Sequence, residues 1–179
     1  MSDITLHALD SDEGLLVAKL LSLPHRILSN HEVHGLEQLV LHDLGHGHNF
    51  NLGKAGYFID NPDFDCFKGV AGYDDGECSL HQQDPWASPQ AFVESMSNAP
   101  FQKKIAGLAQ RSVAGQHKTA DDAGIFKTLG ATIGMKDPSV ITWKMKHGNN
   151  GVLLFESSHA GSARKQELLQ HFLPLLGLC

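Results

Sequence analysis

The chain is poor in cysteine, tyrosine and tryptophan, and it has no long run of one charge or of apolar residues. Each shortage excludes something. Three cysteines, Cys66, Cys78 and Cys179, are an odd and low count for 179 residues. That fits a reducing compartment and no disulfide framework. Basic residues number 14 against 20 acidic ones, a formal net charge of −6, and the pairs Lys103-Lys104 and Arg164-Lys165 are the longest basic runs. Phosphate backbones need a basic face, so nucleic acid is not expected as a partner. Trp86 and Trp143 then read as core or interface anchors, because no basic stripe accompanies them as a base-stacking platform would require. No stretch approaches the roughly 18 apolar residues of a membrane span. The segment Met1 to Asp12 is acidic and does not read as a signal peptide, so the expectation is a cytoplasmic protein with no membrane partner. A G-x-S-x-G nucleophile turn is also missing, which weakens a serine hydrolase reading.

What the chain does have is histidine. Twelve are present, and five fall in H-E-V-H-G-L-E-Q-L-V-L-H-D-L-G-H-G-H-N, from His31 to Asn49. Histidine is the commonest protein metal ligand and titrates nearest neutral pH. Wound at roughly 100° per residue, the stretch gathers Val33, Leu36, Val40 and Leu44 in one apolar stripe flanked by Leu39 and Leu41. His31, His34, His42 and His46 fall together on the opposite face. His42 and His46 are an i, i+4 pair, one turn apart, and can share an ion. Asp43 points to another side, nearer the apolar flank. Gly45 and Gly47 end the helix, leaving His48 in the loop beyond.

The residues L-V-L-H-D-L-G-H, Leu39 to His46, resemble the central motif of the HD family of metal-dependent phosphohydrolases. The resemblance implies that the doublet His42-Asp43 ligates a divalent metal at a helix end. It also implies an upstream histidine, for which His34 is available. A later aspartate would complete the site, and Asp60, Asp63, Asp65, Asp74 and Asp75 are all available for it. The same residues approximate the H-E-x-x-H zinc protease motif, with Asp43 where the general-base glutamate would stand. Aspartate is one methylene shorter, so this reading ranks below the first.

The remaining chain sets the frame. Ser11 or Asp12 caps a first helix that Pro24 stops near Leu23, preceded by a short edge strand in Met1 to Leu9. Tyr57 to Asp60 and Cys66 to Tyr73 read as strands, separated and followed by carboxylate-rich turns, Asp60 to Asp65 and Asp74 to Glu77. The run Gly47 to Ala55 is a near miss for a phosphate loop. Ser88-Pro89 opens a short helix, and Pro100 opens another that runs to Val113. Asp121 or Asp122 caps a third, with Phe126, Leu129 and Ile133 inward and Gly134 at its end. Ile141 to Lys146 alternates as a strand, Asn150-Gly151 supplies a tight turn and Val152 to Glu156 returns as a buried strand. Ser157-Ser158-His159 precedes a final helix capped by Ser162, with Leu168, Leu169, Phe172 and Leu173 inward and Pro174 as a kink.

The fold class that follows is α+β: a small antiparallel sheet, including a C-terminal hairpin, covered by helices in one domain over residues 1–179. The functional expectation is a metal-dependent hydrolase acting on a phosphate ester or similar bond of a small-molecule substrate. Asp43 would serve in catalysis, and a divalent metal ion as cofactor would be held by His34, His42, Asp43, His46 and His48 in some combination. The alternative is a non-enzymatic module that binds a metal or haem, or contacts a partner protein.

Overall fold

The computed structural model describes residues 11–46, 49–78, 84–113, 122–157 and 163–179. Within them are seven α-helices and one five-stranded antiparallel sheet, so the α+β expectation holds. None of these helices is long and apolar enough to cross a membrane. The edge strand expected in Met1 to Leu9 and the cap expected at Ser162 lie outside the described residues.

The sheet runs β3-β2-β1-β5-β4, with β1 Leu52–Asn61, β2 Cys66–Asp74, β3 Ala109–Gln110, β4 Ser139–Lys144 and β5 Asn150–Ser157. The central strand β1 pairs with β2 from Lys54 opposite Asp74 to Asn61 opposite Cys66, and with β5 from Leu52 opposite Ser157 to Asp60 opposite Asn150. A bulge at Val70 breaks the first of these ladders, since Tyr57 pairs with Ala71 and Phe58 with Gly69. Helices cover both faces. Over one lie α1 Ser11–Ser29, α2 Leu36–Gly45, α4 Pro89–Met96 and α7 Ala163–Phe172, sharing a core with Ala55, Tyr57, Ala71, Tyr73, Leu153 and Phe155. Over the other lie α5 Pro100–Ala106 and α6 Asp122–Ile133, packed on Phe58, Phe67, Val152 and Leu154. A four-residue helix, α3 Asp75–Cys78, closes the carboxylate turn after β2.

Helix α5 sits directly on the strand backbones because three glycines face it. A Cβ on Gly69 would fall 1.9 Å from the Ile105 carbonyl oxygen, and one on Gly72 would fall 2.8 Å from the Ile105 side chain. One on Gly56 would approach Ile105 to 3.0 Å. The Gln102 side chain locks the seat: its Oε1 accepts from the Gly72 N–H and its Nε2 donates to the Val70 carbonyl. Both groups lie at or beside the bulge in β2.

Several expectations are corrected. Pro24 does not stop α1, which continues to Ser29. Leu16, Leu20, Leu23 and Ile27 keep helical spacing through the proline and are all buried, and burial of Ile27 offsets the backbone bond lost there. The helix opened by Pro100 ends at Ala106 rather than Val113. Gly107 turns the chain so that Ala109 and Gln110 add an edge strand to β2. Asn150-Gly151 is not the hairpin turn, because both residues are paired in β5, opposite Lys144 and Trp143. The reversal lies earlier, in a 3-10 turn Lys146–Gly148 with His147 at φ 59°. Gly151 is needed for packing instead, since a Cβ there would stand 2.2 Å from the Trp143 indole. Pro174 marks where α7 gives way to the 3-10 turn Leu173–Leu178.

Gly69→Ala should destabilise the fold by about 2–3 kcal/mol, through overpacking against rigid backbone. Gly124→Ala, on α6 with nothing within 4 Å of its Cβ, should stabilise by about 0.5–1 kcal/mol. Urea unfolding of the two variants against the parent chain checks both signs.

Candidate functional site: the His42-Asp43 segment

The histidine-rich stretch is not one continuous helix. Helix α2 begins at Leu36, after Gly35 at φ 86°, where a Cβ would meet the Val93 side chain at 2.8 Å. His31 and His34 therefore belong to the turn before the helix, and both are exposed. His34 does not share a helix face with His42, contrary to the expectation. The helix ends at Gly45 as expected, and Gly45 packs so closely on Tyr73 that a Cβ there would stand 2.7 Å from its ring. His48 lies outside the described residues.

Helix α2 is buried nearly all round. Leu39, Val40 and Leu41 are each 0% exposed, and Leu36 and Leu44 are buried with them. Its polar face is correspondingly narrow. His42, expected on the face opposite the apolar stripe, is only 6% exposed. Its ring meets Phe92 of α4 edge-on at 4.9 Å between centroids and Tyr73 of β2 edge-on at 5.7 Å. His46, one turn on, is exposed, with its ring centre 5.9 Å from that of His42 and the planes tilted by 40°. The one-turn spacing brings the two rings together, but the fold puts one inside the protein and the other at its surface.

Asp43 faces a different set of groups. Its Oδ2 accepts the Trp86 indole N–H at 3.1 Å and lies 3.7 Å from the Arg26 guanidinium. That guanidinium stands over the Trp86 ring, 5.7 Å from its centre, a cation–π geometry. The Asn49 side chain donates to the Asp43 backbone carbonyl and reaches its Oδ1 at 3.5 Å. Burial pushes the Asp43 carboxyl above its ordinary value; the Trp86 hydrogen bond and the positive charges of Arg26 and Lys19 pull the other way and do not cancel it. Arg26 was hidden from sequence reasoning by Pro24, beyond which no helix was expected. Trp86 was read as a core or interface anchor, but nothing local links it to Asp43.

The five aspartates available as a later ligand disperse. Asp60 is buried and accepts the Val113 N–H. Asp63 is exposed in the hairpin turn. Asp65 pairs with Arg111, and Asp74 pairs with Lys54. Asp75 accepts the Tyr73 hydroxyl at 3.0 Å, so it reaches the histidine pair at one remove, through the ring that packs on His42. Among the described residues, no three His, Cys, Asp or Glu side chains gather closely enough to hold an ion. The Ser158-His159 part of the serine-rich loop lies outside those residues. No family model, no curated protein and no solved structure matches this chain.

The environment of Asp43 fixes how stability responds to it. A carboxyl whose folded pKa is raised binds its proton more tightly when folded than when unfolded. Its contribution is therefore most favourable below the ordinary value of 3.8 and declines as pH rises through the folded value. Asp43→Asn keeps an acceptor for the Trp86 indole and should remove this part of the decline, leaving stability at neutral pH equal or higher. Asp43→Ala leaves that N–H without its acceptor and should cost about 1–3 kcal/mol. Urea midpoints for both variants between pH 4 and pH 7 check these outcomes.

Proposed function

We propose that the protein binds a divalent transition metal through His42 and His46, and that Asp43 is a structural neighbour of this site rather than a ligand in it. The observation that carries the reading is the geometry of the imidazole pair. An ion bonded to two imidazole nitrogens at about 2.0–2.1 Å sets the ring centres roughly 4.5–5.5 Å apart at bond angles of about 90–120°; His42 and His46 stand at 5.9 Å, a separation that a small rotation of the exposed His46 ring closes. Phe92 and Tyr73 hold the inner ring in place, and the outer ring sits at the end of α2, where further coordination positions open to solvent. The partners of Asp43 support its exclusion, since Trp86 and Arg26 occupy its carboxylate.

Hydrolysis of a phosphate ester is a second reading, and Arg26 favours it. Its side chain is 35% exposed beside the doublet, and its guanidinium has the planar fork that matches phosphate oxygens. A bound metal would supply an acidified water there, and Asp43 would take part in proton transfer.

Titration of the full chain with Co²⁺, followed by calorimetry and visible absorption, tests the first reading. One ion per chain is expected. His46→Ala, an exposed change that leaves the metal-free fold intact, should weaken binding at least about tenfold. His34→Ala and Asp43→Asn should leave it unchanged. Equal affinity in His46→Ala and the parent chain overturns the proposal. For the second reading, Co²⁺-dependent cleavage of bis-p-nitrophenyl phosphate should be present and should disappear in Asp43→Asn while the ion stays bound; absence of turnover in the metal-loaded parent chain removes it.

A further inference from the structure

The helical layer that hides Tyr57 and Ala71 does not extend to the tip of the β1-β2 hairpin. Further along the same strands Ile59, Cys66 and Val70 are only partly buried and Lys68 is exposed. Here a cavity of about 560 Å³ opens, with Ile59, Val70 and Ala106 as apolar wall, Phe64 at its rim and Cys66 and Lys68 along one side. That size falls within the roughly 300–1,000 Å³ of small-ligand pockets. Phe64 is 81% exposed. Among the described residues, Lys68 is the one charged residue lining the cavity. Its cross-strand neighbours are Ile59 on β1 and Ala109 on β3, and among the described residues it makes no ion pair. Asp65, three residues before it, is paired with Arg111.

We propose that this cavity is a binding site for a small amphipathic anion, a monocarboxylate with a short apolar tail. The carboxylate rests on Lys68, and the tail lies along Ile59 and Val70 beneath Phe64. The site is separate from the histidine pair and does not depend on it. Apolar wall and single cation together select this class: an uncharged apolar molecule would leave Lys68 unmatched, and a small inorganic anion would leave the wall in water.

Cys66 supplies a reporter within the cavity. Octanoate is the probe, and iodoacetamide labelling of the full chain is read peptide by peptide, so that Cys66 is resolved from Cys78 and Cys179. Millimolar octanoate should slow labelling of Cys66 at least about fivefold and leave Cys179 unchanged. Octanol should need about tenfold higher concentration for the same protection, and so should octanoate with Lys68→Gln, each judged against its own ligand-free rate. Lys68 is exposed, so this variant keeps the fold. Absence of protection at Cys66, equal slowing at Cys179, or equal protection by octanol or in Lys68→Gln would each overturn the proposal.

Discussion

Enclosure of α2 is the constraint on which the candidate site depends. A helix in which Leu39, Val40 and Leu41 are consecutive and all fully buried spreads apolar surface over far more than one stripe. It has to lie between other elements, here α1 and α4 on one side and the sheet on the other. Once it is so placed, His42 has nowhere to go but inward, between Phe92 and Tyr73. Asp43, about 100° further round the helix, arrives under Trp86 beside Arg26. Two adjacent polar residues are thus sent to separate surroundings.

The sheet imposes the other constraint. Glycines at positions 56, 69 and 72 strip side chains from one face, so α5 can rest on the backbone itself. The bulge at Val70 aims two successive β2 residues at the opposite face, and Gln102 bonds the backbone beside it. Helical cover on that opposite face stops short of the hairpin tip, and the cavity beside Lys68 is the space that remains. A close seat on one face and incomplete cover on the other come from the same pair of strands.

Much of this architecture was legible in the residue pattern. The spacing of Phe126, Leu129 and Ile133, with Gly134 after them, gave a helix and its left-handed end. Val152 to Phe155 announced a buried strand. What could not be read depended on partners distant in sequence. Leu52 to Ala55 carry little strand signal between their glycines and are held as strand by β2 and β5. Ala109 and Gln110 are a strand only because β2 has an open edge for them. Pro24 punctuates a helix locally, yet a core that wants Ile27 carries the helix past it.

Sequence by itself determined the α+β class, the apolar face of α2 and the one-turn spacing that brings His42 and His46 together, because each follows from period and propensity along a single segment. Tertiary structure alone decided that His42 is inside, that Asp43 is committed to Trp86 and Arg26, and that the aspartates at and beyond the ends of β1 and β2 scatter to other partners. The reason is geometric. Period fixes the angle between neighbours on one element, whereas the surroundings at each angle are supplied by segments tens of residues away.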